Sequence, residues 1–211
     1  IGSYTTLQVA RNLGNALVAP IIRPGCSRHH MEFPGTITLR PETLMDLIED
    51  YCLSLARHGF KRIVVLSTHG GNITMVQQAC QRASEKLPDC DIIGLRAADT
   101  LYWPEEIGPI GIHHASYNEI SYMLHISPQM VRKEKIDQLP DPDKYPRIPQ
   151  EVKDKEAYMT KKGVKAFSPI GAWHHRGTFR NPKESNADWG KRLQDGIIRN
   201  ILKELALLSS G

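Results

Sequence analysis

Two histidine-bearing segments carry residue types and spacings from which chemistry can be built. In the first, the apolar run Ile63-Val64-Val65-Leu66 passes through Ser67 and Thr68 into His69, Gly70, Gly71 and Asn72. The two glycines let the backbone turn sharply and let a ligand or metal approach, Asn72 is placed to cap the following helix, and His69 projects from the rim of a strand. That histidine is either a ligand at the mouth of a site or a side chain that only hydrogen-bonds within a tight strand-to-helix turn. In the second segment, His113, His114 and Glu119 lie together at the start of a predicted helix. An imidazole that titrates near neutrality suits His114 to proton transfer, while Glu119 offers a hard oxygen ligand or fixes a neighbouring histidine in one tautomer. The structural alternatives are a first-turn carboxylate favoured by the helix dipole for Glu119 and a surface position for His113.

The elements that must hold these residues read as an alternation of strands and helices. A run of β-branched residues and leucine without polar alternation predicts a central parallel strand covered on both faces, and open α/β sheets bind ligands at the C-terminal ends of such strands. Ile73, Val76, Ala79, Cys80, Ala83 and Leu87 mark one face of the helix that follows. Upstream, residues 5–13 predict a helix stopped by Gly14, residues 16–22 an apolar strand, and residues 24–36 a loop whose prolines and glycines fix its path. Pro41 opens the next helix, with Leu44, Leu47, Ile48, Tyr51, Cys52 and Leu55 on one face and Gly59 at its end. Residues 92–95 predict a second strand, 97–109 an ordered loop with Tyr102 and Trp103, and 118–126 a short helix turning Ile120, Met123 and Leu124 inward. Residues 137–150, rich in proline, read as an extended excursion rather than a second domain. The capping-box spacing of Ser185 to Asp188 starts a last helix through Leu193, Ile197, Ile201, Leu202, Leu205 and Leu208. The expected architecture is a three-layer α/β/α fold with a mainly parallel central sheet, residues 1–211 forming a single domain.

Composition narrows the partners. The formal charge of +4 over 211 residues is modest and its basic residues are dispersed among acids, which argues against nucleic-acid binding. No apolar run approaches the roughly 18 residues of a membrane span. The four cysteines, Cys26, Cys52, Cys80 and Cys90, have no C-x-x-C spacing and predict neither a zinc knuckle nor a disulfide framework, so a reducing cytoplasm is expected. Cys52 and Cys80 fall on apolar helix faces as small buried hydrophobes. The chain opens on Ile1, which fits a start inside a longer polypeptide.

Together the motifs resemble those of the creatininase (creatinine amidohydrolase) family. Thr68-His69-Gly70-Gly71-Asn72 is similar to its GHGGN-type signature, and His114-Ala115-Ser116-Tyr117-Asn118-Glu119-Ile120-Ser121 to its HAGExETS-type signature. Phe33-Pro34-Gly35-Thr36 resembles the family's FPGT loop, with His30 at the position of a frequent preceding histidine; Gly177 to Pro182 and Gly190 to Leu193 resemble its closing loop and last helix. The resemblance implies a metal-dependent hydrolase of C–N bonds in a small-molecule substrate, a cyclic amide or formamide, and a homo-oligomer that is commonly hexameric. It implies His69 as a metal ligand, His114 as the catalytic histidine and Glu119 as the carboxylate that binds metal or organises the site. The divalent ion is Zn²⁺, Mn²⁺ or Fe²⁺. Gly70, Gly71, Asn72 and Trp103 are the expected substrate-binding residues; Trp103, with Tyr102 and Trp173-His174-His175, either walls a pocket or packs an interface.

Departures from the family pattern bear on activity. Gly2-Ser3-Tyr4-Thr5 matches a GTD-type turn with Tyr4 in place of the aspartate, Tyr117 replaces the usual first glutamate of the second motif, and Ser67 stands where asparagine is frequent. The family's ExH-type segment lies upstream of Ile1. Three readings follow: a metal-dependent amidohydrolase; a catalytically degenerate subunit with a structural or regulatory role beside a paralogue; and an anion-binding protein using the Gly70-Gly71-Asn72 helix start.

Overall fold

A computed structural model describes residues 1–96, 117–139 and 182–208. The expected residues His113, His114, Tyr102, Trp103, Trp173, His174 and His175 lie outside them, as do the 97–109 loop and most of the proline-rich excursion.

Within the described residues, helices α1 (Gly2–Leu13), α2 (Pro41–Arg57), α3 (Ile73–Lys86), α4 (Tyr117–Ile126), α5 (Lys133–Asp137) and α6 (Ala187–Leu207) accompany strands β1 (Arg62–Ser67) and β2 (Asp91–Arg96). The strands pair in parallel, Ile63 opposite Ile92 and Leu66 opposite Leu95. A parallel pair needs a crossover, and α3 provides it.

Side chains alternate across the pleat, and both faces are covered. Ile63, Val65 and Ile92 pack with Leu44, Ile48 and Cys52 of α2 and Val76, Ala79, Cys80 and Ala83 of α3. Leu66, Ile93 and Leu95 pack on the other side with Val9 of α1, Tyr122 of α4, and Leu193, Ile197 and Ile201 of α6. Helices above and below a parallel sheet make the α/β layering expected from the unbroken apolar run of β1. No helix among the described residues is long and apolar enough to cross a membrane.

Helix α2 starts at Pro41 and gives way to His58 and Gly59, whose φ of 93° suits glycine. Its buried face includes Glu49, a residue that apolar periodicity does not reveal. Arg82 of α3 reaches the Glu49 carboxylate at 2.7 Å, and Lys86 also pairs with it, so the one buried charge between α2 and α3 is held by two cations.

Four sequence expectations are corrected. Residues 16–22 form no strand: they stand off β1 across an apolar cavity of about 430 Å³, with Leu17 80 % exposed. Pro20 lacks the N–H that a ladder needs. Residues 2–5 are not a turn but the first turn of α1. The buried residues of α4 are Asn118, Ser121 and Tyr122 rather than Ile120, Met123 and Leu124. Here α6 comes so close at Gly190 that a Cβ added there would sit 1.8 Å from the Ser121 carbonyl oxygen, leaving room only for small or hydrogen-bonded groups. Trp189 Nε1 donates to Asn118 Oδ1 at 2.8 Å, and the Asn186 N–H donates to Ser121 Oγ at 3.1 Å. Finally, Asn186 rather than Ser185 caps α6, its Oδ1 accepting from the Trp189 N–H at 2.8 Å.

Candidate metal centre

His69 leaves the C-terminal end of β1 in extended conformation and enters a single 3₁₀ turn, Gly70–Asn72, that runs into α3. Ser67, buried two residues earlier, donates its hydroxyl to the His69 carbonyl at 3.1 Å and so holds the peptide that follows the imidazole. The asparagine expected at this position in the sequence is therefore replaced by a smaller side chain with a definite bond.

Asn72 does not cap α3 with its side chain. Its Oδ1 instead accepts the Cys26 N–H at 2.8 Å, tying the helix start to the loop that precedes α2. That loop is closed on itself. Ser27 N–H donates to Thr38 Oγ1 at 2.8 Å, Leu39 N–H to the Gly25 carbonyl at 2.9 Å, and Thr36 Oγ1 to the His30 carbonyl at 2.9 Å. The 3₁₀ turn Arg28–His30 between these ties carries two consecutive imidazoles toward His69.

The result is a cluster of three histidines. The rings of His29 and His69 are parallel with centroids 5.4 Å apart; His30 lies 4.0 Å from His29 and 5.8 Å from His69. One ring nitrogen from each falls within 4.8 Å of the others. His69 Nε2 is shielded from solvent, and burial lowers the pKa of His29, favouring the neutral imidazole whose lone pair a metal needs. Gly71 keeps the space between the rings open: a Cβ there would lie 2.6 Å from His69 Nε2 and 2.8 Å from His29 Cε1. Among the described residues, no carboxylate belongs to this group.

The other expected site residues are placed differently. Gly70 has open space where a Cβ would be, and Thr68 and Asn72 line the apolar cavity beside β1. Glu119 sits in the first turn of α4, where its charge acts on the Ile1 amino group and on Tyr122. Tyr4 packs edge-on against His125 at 5.9 Å, and Tyr117 stacks on Trp189 at 6.2 Å. The expectations missed His29 as a site residue. The available signal was a pair of adjacent histidines in a loop punctuated by proline and glycine, one residue upstream of the His30 already singled out.

The donor set fits a borderline divalent ion, because three imidazole nitrogens are the ligands such ions take in open catalytic sites. The pattern of the creatinine amidohydrolase family matches residues 2–205. A mycofactocin precursor peptide peptidase from Mycobacterium tuberculosis is 28% identical over 195 residues, covering 90% of this chain; the chain spans 65% of that relative's length. A creatinine amidohydrolase from Pseudomonas putida is 27% identical over 147 residues, covering 61% of this chain and 56% of that protein. Among solved structures, a creatinine amidohydrolase superposes with a TM-score of 0.77 at 22% identity, over 99% of this chain and 81% of the other. A manganese creatininase gives 0.72 at 22% identity, over 99% and 82%.

Proposed function

The chain belongs to the creatinine amidohydrolase (creatininase) family, and we propose that it is a metal-dependent amidohydrolase acting on a C–N bond of a cyclic amide or formamide. The observation that carries this reading is the position of His69: at the C-terminal end of a parallel strand, with two further imidazoles brought to within 4.8 Å of it. His69 is the metal ligand, and Glu119 is the carboxylate that binds metal or organises the site. A divalent ion held there supplies a more acidic bound water and a polarised amide carbonyl. His114 would take a proton from the attacking water and pass it to the departing nitrogen as the C–N bond breaks, a shuttle for which an imidazole is the suited side chain. Gly70, Gly71, Asn72 and Trp103 bound the substrate. The assembly is a homo-oligomer, a hexamer in this reading, of one-domain subunits in the cytoplasm.

The test begins with protein purified without a histidine tag. Elemental mass spectrometry is expected to find a stoichiometric transition metal, and the loaded protein to open at least one member of a panel of cyclic amides, formamides and short peptides. Peptides belong in the panel because a relative is a precursor-peptide peptidase. His114→Ala is expected to abolish turnover with metal content intact; loss of the metal in that variant would make His114 a ligand and overturn its assignment.

A second reading, a family subunit without its own activity, is favoured by Tyr4 and Tyr117, whose rings pack on His125 and Trp189. It predicts that the native protein co-purifies with a carboxylate-bearing paralogue. Turnover by the isolated homo-oligomer excludes it.

A further inference from the structure

We propose that His29 and His30 complete, with His69, an all-imidazole metal site that selects zinc or cobalt over manganese. This rests on the metal-dependent reading and departs from the mixed histidine and carboxylate ligation that the family resemblance implies.

Three observations converge. The three nitrogens come from two separate segments, so their approach within 4.8 Å is a product of the fold rather than of neighbouring sequence alone. Both segments are pinned to each other: the Asn72–Cys26 bond holds the 3₁₀ turn bearing His29 and His30 against the helix start that follows His69. The space the ion needs is preserved by Gly71, the residue whose substitution would drive a methyl group between His69 and His29.

The distances are compatible with closure on an ion. Zinc–imidazole bonds of about 2.0–2.1 Å around a tetrahedron separate the nitrogens by roughly 3.3 Å. From at most 4.8 Å, the nitrogens must draw together by up to about 1.5 Å to reach that spacing. Three nitrogens with a fourth position left for water match an open catalytic zinc site. Manganese prefers oxygen donors and stands lowest in affinity for a nitrogen set, whereas cobalt and zinc bind it well.

The test uses metal-free chain without a tag, titrated with Zn²⁺, Co²⁺ and Mn²⁺ against a competing chelator. X-ray absorption of the zinc-loaded, unmutated chain is expected to count three imidazoles, and the cobalt form to show the intense visible bands of tetrahedral coordination. His29→Ala and His30→Ala are each expected to weaken zinc binding by more than about 100-fold, beyond the 10- to 100-fold typical of losing an outer-shell partner. Gly71→Ala should weaken it with all three ligands present, and His58→Ala, at the exposed end of α2, should leave it unchanged. A count of one imidazole, or unaltered affinity in both loop variants while His69→Ala loses the ion, overturns the three-histidine site and leaves the family reading standing. Failure of the unmutated chain to bind any of the three ions overturns both. The absorption count needs no variant, so a misfolded substitution cannot obscure the answer.

Discussion

Asn72 shows how a side chain expected to cap its own helix can spend its oxygen on a distant loop. An asparagine before an apolar helix predicts a cap, because its oxygen can reach the second or third N–H of the helix. In the structure that oxygen is committed to Cys26 N–H, forty-six positions upstream. Removing a partly buried acceptor leaves the amide without its bond, which costs about 1–3 kcal/mol. Asn72→Ala is therefore expected to lose that amount in urea denaturation and Asn72→Asp, which keeps an acceptor, to lose clearly less. Equal losses would mean that the Cys26 bond contributes nothing. His69 was legible in the sequence because strand, glycines and helix start are contiguous around it. His29 was not, because only tertiary structure brings the 24–36 loop to the end of β1.

Among the elements, helices were easier to read than their faces. The apolar periods of α2, α3 and α6 foretold most of the aliphatic residues that bury, since each packs a broad apolar stripe on the sheet, but Leu208 is 53 % exposed and the buried Glu49 and Gln194 gave no apolar signal. The 16–22 segment misled because apolar β-branched content alone does not make a strand; a partner and a complete set of N–H donors are also required. Helix α4 misled for another reason. Its contact with α6 is set by backbone approach at Gly190, and the buried positions carry asparagine, serine and tyrosine instead of aliphatic side chains. Gly190→Ala places its methyl 1.8 Å from the Ser121 oxygen and 2.3 Å from its carbonyl carbon, and backbone cannot rotate away as a side chain can. The expected loss is about 3 kcal/mol, the upper range for overpacking, measured by chemical denaturation. A loss below about 1 kcal/mol would show that the helices separate at little cost, contrary to this account. Gly71→Ala meets the His69 and His29 rings first, at 2.6 and 2.8 Å, and the Cys26 carbonyl oxygen at 2.9 Å, so it should lower metal affinity and cost some folding stability as well.

At the scale of the whole molecule, the sheet divides two apolar clusters, and the cysteines mark one of them. Cys52 of α2 and Cys80 of α3 meet on the face shared by Ile63 and Ile92. Burial pushes the Cys52 thiol up to about 11 and the Cys80 thiol up to about 12, from an ordinary value of 9.0; the nearby Glu49 charge adds to the first. Burial also raises the Tyr122 hydroxyl in the opposite cluster. Each of these groups keeps its proton in the folded chain at a pH where the unfolded chain has released it. The unfolded state therefore binds fewer protons above pH 9, and stability must fall as pH rises. The contribution of the two thiols is fully present below about pH 9 and is lost as pH climbs through about 11 to 12, with a slope of at most about 1.4 kcal/mol per pH unit for each. Urea midpoints measured from about pH 8 to about pH 10.5 should decline, and the Cys52→Ala/Cys80→Ala double variant should decline less steeply, whatever its absolute stability. An identical slope in both proteins would assign alkaline unfolding to other groups. In the same pH range Cys90, partly exposed with its thiol donating to the Phe60 carbonyl at 3.2 Å, should react with alkylating reagents well before either buried thiol. That order follows from access and from the raised pKa of the buried pair, so it holds only while the α2–α3 face of the sheet stays closed.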